Sequence, residues 1–447
     1  MNSRHRRTAY RQAPSNGDMT RDMLTTPAGL VFCTALVASV FQIYTVAVGG
    51  FYVPLSLALS MLCLLYIAPS SIDRRVMLMA LLYMATLLVS IAWSPSFSAW
   101  ANGVVYQSLF FIGLFSFQSM KNNDARRSAI RLFLLAASAN AIVTVIFRIV
   151  PALKMAYLST SVRALFINPN TVESVLGKNI NVTDVSKSGG FLFINGNTGA
   201  AFNMMCLGMS VCLMQGSNKR GPLLLATIFL SSIVASGSKS ALLVSVAVIV
   251  IAAALYFLRT NRFLPLLVVG AIVVSILLVL FTSGIFDKVA AGKFSQDTAQ
   301  TSSYRVGLLQ VAGILFRQNP ILGLGFGGWE RKLPSYADFY GLSPEWPPHN
   351  SVVMAWAQAG LLSALVLIAL FGYILTALIK SYQKTSGSFR PGGAIIAFLC
   401  VTAMSLGDPY PLFGNSSMAF PLGCVVAFGL RQRATVKQAV ERRTSRA

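Results

Sequence analysis

Acidic residues are scarce. The 447-residue chain holds 13 Asp and Glu against 36 Lys and Arg, and charged residues make up only 11% of it. Soluble domains carry roughly a quarter, so this chain lacks the polar surface to cover a water-soluble body of its size. Histidine is nearly missing, with His5 in a basic tail and His349 far downstream. One relevant histidine and no clustered carboxylates supply too few ligands for a metal site, so no metal and no other cofactor is expected. The six cysteines, Cys33, Cys63, Cys206, Cys212, Cys400 and Cys424, all lie inside apolar runs without C-x-x-C spacing. They read as small packing residues, not as a disulfide framework. No clear internal repeat is visible, which disfavours a transporter built from inverted repeats. The net charge of +23 would suit nucleic acid, but the basic residues sit in short clusters between apolar runs and at both tails. With no aromatic-basic module and no zinc spacing, a nucleic-acid partner is rejected.

What remains is apolar length. Hydrophobic residues make up 55% of the chain, and a helix crossing the hydrocarbon needs about 20 of them in a row. Runs of that character occupy 28–48, 51–68, 76–93, 100–118, 129–150, 191–214, 222–235, 241–258, 263–281, 351–379, 393–406 and 417–430. They predict an all-α, polytopic membrane helix bundle of about twelve spans, or ten to twelve because several runs are short. The expected organisation is a basic tail (1–27), nine spans (28–281), an external loop (282–350), three spans (351–430) and a second basic tail (431–447). The first run is too long for a signal-peptide core and lacks an A-x-A site, so it reads as a retained span.

Charge tests the alternation of these spans. Arg74 and Arg75, Lys121, Arg126 and Arg127, Lys219 and Arg220, Arg259 and Arg262, and Lys380, Lys384 and Arg390 all fall on one side with the tails. The short loops 49–50, 94–99 and 407–416 on the other side hold no Lys or Arg. Positive charge marks the cytoplasmic side of short loops, so both tails are expected in the cytoplasm. Two outer loops are longer, 151–190 and 282–348. In the second, Ser302 and Ser303 suggest the cap of an amphipathic helix. It carries Tyr304, Leu308, Val311 and Leu315 and stops near Pro320, lying on the outer leaflet or over a cavity.

Three ionisable residues stand out on that side. His349 follows Trp346-Pro347-Pro348 and precedes Asn350, where the external loop re-enters the membrane. It reads either as an interfacial histidine beside a Trp anchor or as a general base, since neutral imidazole is suited to accepting a hydroxyl proton near pH 7. Arg305 opens the amphipathic helix and would otherwise contact lipid headgroups. Lys239, in Ser236-Gly237-Ser238-Lys239-Ser240, breaks the pattern of uncharged short outer loops. It either snorkels from a helix end or holds an anion beside small residues. Arg148, near a span edge, reads as snorkelling. The run Gly323-Leu324-Gly325-Phe326-Gly327-Gly328 fits neither nucleotide fingerprint, having no preceding strand and no G-K-[ST]. It is read as a tight turn that lets backbone approach something.

Together these segments resemble the O-antigen ligase and polysaccharide polymerase superfamily of bacterial envelopes. The ordered elements are Phe191 to Thr198 with Asn195 and Asn197 opening a span, 236–240, Arg305, Asn319-Pro320-Ile321-Leu322-Gly323-Leu324-Gly325, Pro348-His349-Asn350, and Gln358-Ala359-Gly360-Leu361-Leu362. The resemblance is strongest over 300–380, with support from 190–245. It implies a GT-C-like bundle in the bacterial inner membrane and a metal-independent, inverting glycosyl transfer. The implied donor is a glycan on undecaprenyl diphosphate at the outer leaflet, and the acceptor another lipid-linked glycan (polymerase) or lipid A–core (ligase). His349 would take the acceptor proton, Arg305 and Lys239 would hold the lipid diphosphate, and Asn350 and Asn197 would support them. Where the family pattern carries arginine, this chain has Lys239, which lacks the bidentate fork.

The reading leans towards a polymerase for O-antigen or exopolysaccharide, working with membrane lipid and a chain-length regulator as partners. A lipid-linked oligosaccharide transporter or flippase is the alternative of another class, and would ask for broken helices or charge at mid-membrane. A cell-wall glycosyltransferase of the cell-division type would rely on an external carboxylate. The acids available are Asp287, Asp297, Glu330, Asp338, Glu345 and Asp408, none in a compelling motif.

Overall fold

The computed structural model describes residues 26–48, 51–120, 122–168, 186–214, 219–260, 293–385, 389–409 and 414–430. The expected tails, the run at 263–281 and the start of the external loop lie outside them. The helices in chain order are α1 (Pro27–Phe41), α2 (Leu55–Leu62), α3 (Arg74–Val89), α4 (Phe97–Ser119), α5 (Asn123–Ile149), α6 (Pro151–Ser159) and α7 (Arg163–Phe166). After them come α8 (Gly196–Leu213), α9 (Arg220–Ala235), α10 (Lys239–Thr260), α11 (Lys293–Gln318), α12 (Gly328–Lys332), α13 (Pro334–Tyr340), α14 (Ser351–Lys384), α15 (Phe389–Ser405) and α16 (Ser416–Gly429).

Among the described residues, four segments are long and apolar enough to cross a membrane: Arg74–Trp93, Phe97–Ser119, Asn123–Ile149 and Ser351–Lys384. Other apolar helices, such as α1, α9, α15 and α16, are shorter. At about 1.5 Å per residue they fall short of a hydrocarbon core of about 30 Å. The expectation of about twelve full-length spans is therefore met only in part.

The all-α expectation needs one correction. The first two apolar runs do not form a helical pair joined at 49–50. Helix α1 stops at Phe41, and β1 (Tyr44–Val48) pairs antiparallel with β2 (Phe51–Pro54). The residues there are aromatic and β-branched and flank two glycines, which is the pattern of a hairpin. Hydropathy alone does not distinguish such a run from a helix.

Helix α16 is buried on all sides, from Ser416 to Gly429. It packs along α4 so closely that a Cβ at Gly423 would lie 2.1 Å from the Phe110 carbonyl oxygen, and one at Gly113 2.2 Å from that of Phe420. Small residues permit such backbone approach where no hydrophobic drive acts between helices in lipid. Outward, α3 and α14 expose Leu78, Leu81, Leu365 and Ile368, as a surface against acyl chains requires.

Loops gather at two ends. At the basic end the Ala68 amide donates to Ser119 Oγ (2.8 Å), Arg126 Nη2 to the Gln118 carbonyl (2.8 Å) and Cys212 Sγ to the Arg390 carbonyl (3.1 Å). At the other end the Phe326 amide donates to Ser94 Oγ (2.9 Å), the Ser188 amide to the Ser236 carbonyl (3.1 Å) and Asn350 Nδ2 to the Leu406 carbonyl (3.3 Å). The loops assigned to a common side by their charge thus touch one another.

The longest helix, α14, is broken. Ala359 (φ −143°, ψ 15°) and Gly360 (φ 86°, ψ −179°) leave helical geometry. The glycine-rich segment after α11 fills the gap. The Leu324 amide donates to the Ala357 carbonyl (2.8 Å), and the Leu361 amide to the Ile321 carbonyl (2.9 Å). Trp356 Nε1 donates to the Pro320 carbonyl (3.2 Å). Beside the break the Tyr83 hydroxyl donates to Gln107 Oε1 (2.6 Å), and Gln107 Nε2 to Gln358 Oε1 (2.7 Å). The turn read from the sequence as approaching something therefore approaches the opened backbone of α14. Broken backbone at this depth persists only where protein satisfies it.

Two glycines make this joint possible. A Cβ at Gly360 would sit 2.1 Å from the Ile321 carbonyl oxygen, and one at Gly323 (φ 70°) 2.0 Å from that of Trp356. Both residues also occupy left-handed backbone, which costs a non-glycine residue about 1–3 kcal/mol before any clash. Gly360→Ala and Gly323→Val should each lower membrane abundance and the thermal unfolding midpoint in detergent. Gly372→Ala, at a position with open space around it, should leave both unchanged.

Candidate active site at the end opposite the basic loops

Helix α11 carries Arg305. The spacing read from the sequence marks its buried face, since Leu308, Val311 and Leu315 are almost fully enclosed. The helix starts at Lys293 and not at Ser302–Ser303, because nothing between Lys293 and Arg305 interrupts it: no proline and no glycine occurs there. Its apolar side faces protein. Phe316 meets Trp356 at 5.2 Å between ring centroids, and Tyr304 meets Trp346 edge-on at 5.1 Å.

Trp346 in turn contacts the His349 ring at 6.3 Å, and its carbonyl accepts from Trp329 Nε1 (2.9 Å). The approach to α14 is thus pinned from two sides, with Pro347 and Pro348 stiffening it. Asn350 caps α14, its Oδ1 accepting from the Val352 and Val353 amides (2.8 and 3.2 Å). His349 is mostly enclosed, and its Nδ1 is buried without a hydrogen-bond partner among the described residues. Burial, and secondarily the charge of Arg305, lower its pKa from 6.5 to about 4. The imidazole is therefore neutral at pH 7.

The turn at 405–408 joins the parts. Ser351 Oγ donates to the Ser405 carbonyl (2.9 Å), and Asn350 Nδ2 reaches the next carbonyl, that of Leu406. The Arg305 guanidinium stands against Gly407, with Nη1 3.8 Å from where a Cβ would be. Asp408, 3% exposed, accepts from Asn195 Nδ2 (3.5 Å). Asn195 caps α8 by accepting from the Asn197 amide (2.9 Å), and Asn197 Oδ1 accepts from Ser238 Oγ (2.6 Å). Lys239 follows, exposed at the first turn of α10. His349, Arg305 and Asn350 therefore meet around one turn. Asn197 is linked to the same turn through Asn195 and Asp408, and Lys239 follows Ser238, which donates to Asn197.

Asp408 and Asn195 as partners were missed in the sequence. Their contact spans 213 residues, and no local spacing announces it. Asn195 had a weak signal as an Asn preceding a span, but Asp408 stood alone in its loop. The segment before α8 is held by Asn140 of α5, whose Oδ1 accepts from the Phe191 and Leu192 amides (3.0 and 3.1 Å). Helix α8 consequently starts at Gly196 and not at the beginning of the apolar run at 191. Among the described residues no three His, Cys, Asp or Glu gather as a metal-holding group.

Residues 223–368 match the family model described as O-antigen ligase. This region belongs to the O-antigen ligase and polymerase superfamily. No curated protein sequence matches the chain. The O-antigen ligase region covers about a third of the chain, from α9 into α14, and contains Lys239, Arg305, the glycine-rich insertion, His349, Asn350 and the break. Asn195, Asn197 and Asp408 lie outside it. The matched region is thus similar to envelope enzymes of the ligase and polymerase type.

The electrostatics of this candidate site give a pH test. His349 should remain neutral, and reactive towards diethyl pyrocarbonate, down to about pH 4. With His5 replaced by alanine, the rate of modification should fall only as pH drops below about 5. Arg305→Gln removes one of the two causes of the depressed value, so the midpoint should move up towards 6.5. A wild-type midpoint already at the ordinary histidine value would contradict the buried, Arg305-facing environment.

Proposed function

We propose that the chain transfers a glycan from a polyprenyl diphosphate, undecaprenyl diphosphate in bacteria, to an acceptor sugar hydroxyl at the outer leaflet. The observation that carries this reading is the meeting of a neutral, partly enclosed imidazole with a guanidinium around one turn. His349 takes the proton of the acceptor hydroxyl as its oxygen attacks the anomeric carbon. The bond from that carbon to the diphosphate oxygen breaks, with inversion, and the electron pair leaves with the diphosphate. Arg305 and Lys239 stabilise the charge that develops there. Asn350 and Asn197 support the site by fixing the starts of α14 and α8.

A histidine titrating near pH 4 is a weak base. The donor offsets part of this, because a diphosphate beside Arg305 counters the smaller of the two causes, the repulsion that opposes protonation of His349. Part of the lost basicity then arrives with the substrate. No metal or cofactor enters this scheme. The broken helix that a transporter would need is present in α14, but its gap is filled by the chain's own backbone, which favours the enzyme reading over a flippase.

Polymerase and ligase share the donor and differ in the acceptor. We favour the polymerase, making O-antigen or exopolysaccharide beside a chain-length regulator, with both termini of the protein in the cytoplasm. Complementation of a deletion strain with glycan profiling tests this. Accumulated single lipid-linked repeats in the deletion indicate a polymerase, whereas long lipid-linked polymer unattached to lipid A–core indicates a ligase. His349→Ala should abolish product at unchanged membrane abundance. Lys239→Ala should weaken donor use, and Lys239→Arg should preserve it. Normal glycan from His349→Ala, or an impermeant label reaching position 349 only from the cytoplasmic side, would end the proposal.

A further inference from the structure

At the basic end a half-open cavity of about 210 Å³ lies between α3, α4, α14 and α16. This is far more than the ~10–15 Å³ that admits one water and less than the ~300–1,000 Å³ of drug-sized sites. Lys380, Lys384, Asp73, Gln118 and Tyr373 line it, beside apolar walls that include Leu430. The two lysines stand one turn apart on the last turns of α14, on one face of the helix. Asp73 is the one acid in the lining, and its carboxylate caps α3, accepting from the Arg75 and Val76 amides (2.9 and 3.5 Å). Two cations therefore face one acid already engaged with a helix start.

The back of the cavity is polar and incomplete. Gln118 Oε1 is buried without a hydrogen-bond partner among the described residues. The Gln118 carbonyl is held by Arg126, which is fully buried and stacks on Phe117 at 5.3 Å. Arg390 stacks on Phe428 at 5.2 Å, and the two rings meet edge-on at 5.9 Å. The hydrogen bonds of these guanidiniums go to the Gln118 carbonyl and the Asn123 amide oxygen, not to carboxylates, and both Nε atoms are buried and unpartnered among the described residues. Positive charge thus lies at the mouth of the cavity and deeper in the same end of the bundle. The outer wall continues along α3 to the exposed Leu78, Leu81 and Leu82.

We propose that this cavity binds the phosphate-bearing headgroup of an anionic glycerophospholipid, with Lys380 and Lys384 on the phosphate and the acyl chains along the exposed leucines of α3. A headgroup fits better than a free anion because the cationic mouth opens beside a lipid-facing apolar surface. Basic pockets between transmembrane helices on the cytoplasmic side recognise anionic lipid by this chemistry. The site is independent of the glycosyl transfer proposed for the opposite end.

The test uses the full chain reconstituted in nanodiscs of phosphatidylglycerol or phosphatidylcholine, with retained lipid counted by native mass spectrometry. Wild type should retain phosphatidylglycerol preferentially. Lys380→Gln with Lys384→Gln should reduce that retention on the order of tenfold or more, the loss expected for two near-surface lysine contacts, with an unchanged unfolding midpoint in phosphatidylcholine. Arg331→Gln with Lys332→Gln, at exposed positions of α12 at the other end, should leave retention as in wild type. Unchanged retention in the Lys380 and Lys384 variant would overturn the proposal. So would equal loss in the α12 variant, which signals unspecific attraction, and so would displacement of the lipid by millimolar inorganic phosphate, which signals a free-anion site.

Discussion

A backbone amide or carbonyl inside a bilayer must be satisfied by protein, and the break in α14 concentrates that demand at one place. The segment at 320–324 meets it with its own backbone, donating to Ala357 and accepting from Leu361. The consequence extends beyond local stability. The inserted segment is the continuation of α11, so the joint clamps the helix carrying Arg305 to the helix that begins at Ser351. His349 immediately precedes that start. The relative position of guanidinium and imidazole is therefore set by backbone hydrogen bonds in the interior.

The turn at 405–408 gives the second fixed point. It receives Asn350, Ser351 and Asn195 through hydrogen bonds to two carbonyls and a carboxylate, and presents a glycine to Arg305. A glycine there leaves the guanidinium space at the surface of the turn. The arrangement ties the starts of α14 and α8 to the end of α15, and through Asn197 and Ser238 to the start of α10. Polar contacts of this length are modest singly, but each one here also completes a cap or a turn, so loss of one would loosen a helix end as well as a contact.

Much of this was legible in the sequence where the signal was local or periodic. The apolar spacing of Leu308, Val311 and Leu315 named the buried face of α11, and the Pro-Pro-His-Asn run located the start of α14. The charge pattern of the short loops sorted them into two groups that do touch one another. Failures fell where conformation or long-range contact decided. Hydropathy counted 44–48 and 51–54 as the facing ends of two spans because it weighs residues and not backbone geometry. The filling of α14 and the contact of Asp408 with Asn195 join segments distant in sequence, so nothing in either segment alone reveals them. The early start of α11 shows the opposite limit: a serine pair resembles a cap even where the helix runs through it.

The excess of basic residues finally divides by environment, and the division explains why one chain can carry so many. Arg126 and Arg390 are removed from water onto the faces of Phe117 and Phe428, where a ring face and a carbonyl replace part of their hydration. Lys380 and Lys384 remain solvated at the same end, at the mouth of a cavity. Arg305 and Lys239 stand at the opposite end, each at a polar rim, and Arg305 is close enough to His349 to disfavour its protonation. Cations at opposite ends of the bundle interact weakly, because Coulomb energy falls with distance and water around the exposed head groups at each end screens them locally. On the two proposals above, an anionic lipid at one end would not compete with a lipid diphosphate at the other, because each binds its own set of cations at its own end of the bundle.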